Sequence, residues 1–134
     1  MKLGLLTSGD LGYHILQYLY LNYEICFVLT DKKSNKIIDF VQCNNIPFFI
    51  GNPRGGKAKD FISGSIVDVI ISVNYLFIIE DDIIQHPSQI AFNIHGSLLP
   101  KYRGRTPHVW AIINNETETG ITAHVISQEC DAGI

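Results

Sequence analysis

What most constrains this chain is the recurrence of short, almost purely apolar runs separated by segments of helical spacing. Leu3 to Thr7 is the first run, closed by Ser8-Gly9-Asp10, after which Leu11, Ile15, Leu16 and Leu19 fall on one helix face. Ile25 to Leu29 is a second run. Lys36 to Cys43 places Ile37, Ile38 and Val41 on one side of a helix, and Ile46 to Ile50 follows Asn44-Asn45 as a third strand. Gly51 to Lys59, rich in Gly, Pro and Lys, reads as a loop. Ile66 to Val73 is a β-branched run of the central-strand kind, and Glu80 to Gln85 is a short helix with an acidic start. Ala91 to His95, Thr106 to Ile113 and Ile121 to Ile126 complete the series as strand, helix and strand.

Alternating strands and helices predict an α/β chain with a Rossmann-like, doubly wound, mostly parallel sheet and helices on both faces. Its 134 residues fit one domain, residues 1–134, with no repeat or linker inside it. With 46% hydrophobic and 17% charged residues the chain is expected to fold rather than remain disordered. A net charge of −3 weighs against a nucleic-acid partner, since phosphate neutralisation needs a basic surplus. No apolar run reaches the roughly 18 residues of a membrane span, and the start lacks a secretory pattern. Cys26, Cys43 and Cys130 are odd in number and lack CxxC spacing, so reduced thiols and a cytoplasmic setting are expected, without a metal site.

In open sheets of this kind ligands bind beyond the carboxyl ends of the strands. The first such place, Ser8-Gly9-Asp10-Leu11-Gly12 with Asp31 after the second strand, imitates a dinucleotide site. The imitation is incomplete, because Thr7 stands where the first glycine of the fingerprint belongs. The preferred reading is that these glycines serve chain reversal and that Asp31 is a solvated loop acid.

The segment Asn93-Ile94-His95-Gly96-Ser97-Leu98-Leu99-Pro100-Lys101-Tyr102-Arg103-Gly104-Arg105 is denser in chemistry. Residues two apart on a strand share a face, which pairs the Asn93 amide with the His95 imidazole at a carboxyl end. A fixed amide N–H can stabilise an oxyanion, and an imidazole exchanges protons near neutral pH. Those are the groups that acyl transfer asks for. Gly96, Pro100 and Gly104 shape the following loop, in which Arg103 and Arg105 offer guanidinium forks matched to phosphate oxygens.

Asn93-x-His95, with Ser97-Leu98-Leu99-Pro100 and Arg103-Gly104 behind it, resembles the signature of the folate-dependent formyltransferases. That family includes methionyl-tRNA formyltransferase, glycinamide ribonucleotide formyltransferase and the sugar N-formyltransferases. Its third essential residue, the Asp of an Asp-x-Gly, is matched by Asp131-Ala132-Gly133. The resemblance implies formyl transfer from N10-formyltetrahydrofolate to a primary amine, without a metal, with Asn93, His95 and Asp131 catalytic. It also implies that Val73, Asn74, Tyr75, Leu76 and Phe77 receive the pterin, where the plainer reading is a strand end with core aromatics. Lys101, Arg103 and Arg105 would hold the acceptor. His124, Trp110 and Cys130 are read as structural.

Among acceptors, the first turn lacks the Gly-Thr-Pro usual in the tRNA enzymes and the glycine- and asparagine-rich loop of the purine enzymes. Tyr75-Leu76-Phe77 and Lys101-Tyr102-Arg103-Gly104 are similar to the sugar N-formyltransferases, which makes a nucleotide-linked amino sugar the expected small-molecule partner; a homodimer is compatible with this. Family members continue beyond Ile134, so the chain is expected to be truncated at its C-terminal end. A non-catalytic folate- or nucleotide-binding remnant is the alternative from another class.

Overall fold

The computed structural model describes residues 1–95 and 122–125. Five parallel strands, β1 (Lys2–Thr7), β2 (Glu24–Thr30), β3 (Phe48–Ile50), β4 (Val69–Val73) and β5 (Ile90–His95), lie in the order β3-β2-β1-β4-β5. A sixth, β6 (Thr122–Val125), closes that edge antiparallel to β5. Helices α1 (Gly9–Asn22) and α2 (Asn35–Cys43) make the crossovers on the β3 side. A 3-10 turn (Arg54–Gly56), α3 (Lys59–Ser63) and α4 (Asp81–Ile84) carry the chain through the rest.

The two faces are covered by different helices because side chains alternate along each strand. Leu3, Leu5, Val69, Ile71, Val73, Phe92 and Ile94 point to the face closed by Ile15, Leu16 and Leu19 of α1 and Ile37 and Val41 of α2. Leu6, Leu29, Ile70 and Ala91 point to the other, closed by Ile62 of α3 and Ile83 of α4. Each fully buried apolar side chain of this kind contributes about 1.5–3 kcal/mol relative to exposure, so two-sided burial is what holds the central strands in register.

The register slips once. Leu3 stands opposite Ile25 but Gly4 opposite Phe27, which leaves Cys26 as an extra residue on β2. The Phe27 ring occupies the space that a side chain at Gly4 would fill. It stacks edge-on to Phe61 at 6.3 Å and to His86 at 6.1 Å, giving the α3 face its aromatic centre.

Several boundaries differ from the sequence reading. The third strand begins at Phe48 rather than Ile46, since Pro47 has no N–H for the ladder. The fourth begins at Val69; Ile66 is 80% exposed, and Asp68 turns the chain by accepting from Lys2 N at 2.9 Å. The end of the stretch read as a loop is the start of α3. The helix expected over Thr106 to Ile113, with Trp110, lies outside the described residues.

Candidate active site

β1 has β2 on one side and β4 on the other, and the connections leave it in opposite directions. The carboxyl ends of β1 and β4 therefore bound the crevice at which ligands bind in sheets of this class. Ser8 N donates to Val73 O at 3.2 Å, pinning the two ends together.

On the α1 side of that crevice one cluster of polar groups, around Asp31, satisfies itself, while Thr7 Oγ1, Ser8 Oγ and Thr30 Oγ1 are enclosed without a hydrogen-bond partner among the described residues. Asp31 is 4% exposed, not a solvated loop acid. Its Oδ1 accepts from Ser34 Oγ at 2.6 Å and its Oδ2 from Lys33 N at 2.9 Å. Ser34 Oγ in turn accepts from Gly9 N at 3.1 Å. Burial alone would raise the Asp31 pKa, but these donors, Ser34 first, outweigh it and hold the carboxyl below its usual value. The acid that imitates a ribose ligand is thus committed to a turn within its own chain.

The glycines of that turn divide their work. Gly9, at φ 73, makes the reversal expected of it. Gly12 does not; a side chain there would run into Thr7 Oγ1 and lie 3.3 Å from Val73 O. It lets α1 lie against the strand ends.

On the β4–β5 side the polar groups are left open. Val73 is buried, Asn74 turns the chain out of the sheet at φ 55, and Leu76 stands 65% exposed. Tyr75 packs against the α3-face core and meets Phe77 edge-on at 5.4 Å. Its hydroxyl is enclosed and has no hydrogen-bond partner among the described residues. Burial, with the Asp31 charge second, pushes the phenol pKa well above its ordinary value, so the group remains a hydrogen-bond donor. Tyr75 is thus a core aromatic, as the plainer reading has it, while Asn74 and Leu76 are exposed.

Asn93 is placed by β5, whose register sets it beside Ser72 of β4. Phe92 and Ile94 on either side of it point into the α1-face core, so Asn93 projects to the other face. Its Oδ1 is enclosed and unpartnered among the described residues. Such an atom costs about 1–3 kcal/mol unless a donor reaches it. His95 is the last residue of β5 and pairs with Thr122, and Asn93 pairs with His124. The side chain of His95, and Lys101, Arg103, Arg105, Cys130 and Asp131 altogether, lie outside the described residues.

Sequence reasoning passed over two members of this region. Ser34 is visible as a hydroxyl three residues after Asp31, the spacing of a side-chain turn. Ser72 is the one polar residue between Val69 and Val73, and a hydroxyl in a doubly covered strand is itself a signal.

The family model described as formyl transferase matches residues 13–134. Among curated proteins, the bifunctional polymyxin resistance protein ArnA of Wigglesworthia glossinidia brevipalpis is 36% identical over 137 aligned positions, covering 98% of this chain and 20% of that protein. The chain therefore spans about one fifth of the length of that relative. Among solved structures, a sugar N-formyltransferase from a Shewanella species superposes with TM-score 0.59 at 18% identity, over 99% of this chain and 54% of that one. Phosphoribosylglycinamide formyltransferase from Bacillus halodurans gives 0.64 at 20% identity, with 96% and 73% covered. A formyltetrahydrofolate deformylase from Pseudomonas syringae pv. tomato gives 0.63 at 19% identity, with 98% and 47% covered. At these identities the solved structures show a shared fold.

Proposed function

From the premise that the chain belongs to the formyl transferase family, we propose that it moves a formyl group from N10-formyltetrahydrofolate to a primary amine, the amine of a nucleotide-linked amino sugar. The observation that carries this reading is Asn93: an amide near the carboxyl end of β5, beside the crevice, with an oxygen that is enclosed and unpartnered among the described residues.

The acceptor amine attacks the formyl carbon, a C–N bond forms, and the carbonyl oxygen takes up negative charge. Asn93 Nδ2 donates to that oxygen, and His95 supports it as a protonated donor or moves protons between the two nitrogens. The intermediate collapses as the bond to N10 breaks, and the proton lost by the amine ends on N10. Asp131 favours the imidazolium form of His95 and can accept the amine proton, directly or through water. Val73 to Phe77 receives the pterin, with the Tyr75 hydroxyl as a donor and Leu76 as apolar cover. Lys101, Arg103 and Arg105 hold the phosphates of the acceptor.

The sugar acceptor is supported by the similarity of Tyr75-Leu76-Phe77 and Lys101-Tyr102-Arg103-Gly104 to the sugar enzymes, and by the presence of one such enzyme among the fold relatives. The first turn also lacks the glycine- and asparagine-rich loop of the purine enzymes, and its Gly9 N is already held by Ser34 Oγ.

The test is tetrahydrofolate release from N10-formyltetrahydrofolate with dTDP-amino sugars, glycinamide ribonucleotide and charged initiator tRNA as acceptors. Release with an amino sugar is expected. Release with another acceptor corrects the substrate, and no release with any of them overturns the transferase reading in favour of a binding remnant. Asp131→Asn is expected to lower kcat far more than it raises KM; an unchanged kcat removes Asp131 from the mechanism.

A further inference from the structure

Ser72 is 3% exposed and sits inside a strand whose other residues, Val69, Ile70, Ile71 and Val73, are apolar and buried. It shares the α3 face of the sheet with Ile70, because Ile71 and Val73 belong to the opposite core. Across the sheet its register partners are Leu6 on β1 and Asn93 on β5. On that face, Asn93 thus has a hydroxyl as its neighbour in the adjoining strand, and Ala91 two residues before it on its own strand. Adjoining strands lie about 4.8 Å apart.

As placed, no described donor, the Ser72 hydroxyl included, bonds the enclosed Asn93 Oδ1; a change of the Ser72 χ1 to another staggered rotamer is what would bring its hydroxyl to that oxygen. Resting on the transfer reading above, we propose that Ser72 is the positioning residue for Asn93. Its hydroxyl donates to Asn93 Oδ1, fixes which end of the amide is the oxygen, and leaves Nδ2 aimed at the reacting carbonyl.

An amide free to flip also presents its oxygen to the oxyanion, and in that orientation repulsion replaces stabilisation. The hydroxyl removes that alternative without touching substrate. Its effect belongs in kcat and not in KM, because the oxyanion exists only after attack.

The experiment uses Ser72→Ala, Ser72→Thr, Asn93→Ala and the double variant Ser72→Ala/Asn93→Ala, with two readouts. In formyl transfer, Ser72→Ala is expected to lose about tenfold in kcat at unchanged KM, Ser72→Thr to recover most of it, and Ser72→Ala to cost nothing more once Asn93 is Ala. In 15N NMR spectra of the folded variants, the side-chain amide signals of Asn93 are expected to move in Ser72→Ala and to hold in Ser72→Thr. Amide signals unmoved by Ser72→Ala, or equal further losses from Ser72→Ala with and without Asn93, overturn the proposal. Absence of transfer in the unaltered chain defeats the function reading instead, and the amide signals still decide the role of Ser72.

Discussion

The two halves of the crevice, both built at strand ends, differ in how their ionisable and amide groups are held, although each also encloses unpartnered hydroxyls among the described residues: Thr7, Ser8 and Thr30 on the α1 side, Tyr75 on the other. On the α1 side, Asp31, Ser34, Lys33 N and Gly9 N close on one another. On the β4–β5 side, the Tyr75 hydroxyl and Asn93 Oδ1 are enclosed yet unpartnered among the described residues. Satisfied polar groups hold a fold together, whereas buried polar groups left open carry a free-energy cost that a ligand can relieve. The acid of the segment that imitates a dinucleotide site is thus tied into its own turn, and the proposed chemistry rests on the β4–β5 side.

Substitutions can break this contrast in either direction. The largest effect is expected from Asn93→Ala, a loss of about 10²–10³ in kcat, the cost of one oxyanion donor, with a melting temperature close to that of the unaltered chain. Steady-state kinetics beside a thermal melt checks both. Asp31→Ala is expected to do the reverse, destabilising by about 2–3 kcal/mol in urea through loss of a buried acceptor of two hydrogen bonds, with kcat little changed in the fraction that remains folded.

The same acid gives a pH signature. Its folded pKa lies below the ordinary 3.8, so its contribution is complete above that value and is lost as pH falls through the depressed one. Urea midpoints followed from neutral pH into acid should therefore fall for the unaltered chain and fall less for Asp31→Asn. Equal slopes would detach Asp31 from stability.

Gly12→Ala comes next, at about 1–3 kcal/mol, since the new methyl meets Thr7 Oγ1 in a packed contact. The smallest effect is expected from Tyr75→Phe, which removes a hydroxyl unpartnered among the described residues: stability unchanged or up to about 1 kcal/mol higher, and folate affinity lower. Loss of stability in that variant would mean that the hydroxyl is already paired.

Periodicity was enough to place β1, β2, β4, β5, α1 and α2, because two-sided burial leaves continuous apolar runs in the strands and a 3.6-residue stripe in the helices. It failed where identity and environment part company. Ile66 is as β-branched as its neighbours but 80% exposed, and α3, at five residues, is too short to show a period. The antiparallel direction of β6 has no signature in Ile121 to Ile126, since pairing direction depends on where the connection returns.

For the site, the strand-end position of Asn93 and His95 was legible in the sequence, and the structure places both on β5, with Asn93 Oδ1 unpartnered among the described residues. Asp31 was not, since its burial depends on Ser34 folding back onto it, and spacing alone does not say whether an acid keeps its solvent. Ser72 was missed for a related reason: its partner on β5 is distant in sequence, and only the register brings them together.

The contrast between the two halves can be tested directly by titrating N5-formyltetrahydrofolate, a stable relative of the proposed donor, into 15N-labelled chain and mapping the amide shifts. The account predicts shifts concentrated at Ser72 to Phe77 and Asn93 to His95, with Gly9, Gly12 and Asp31 to Ser34 nearly still. Shifts centred on Gly9 to Gly12 and Asp31, with Tyr75 and Asn93 unmoved, would contradict it.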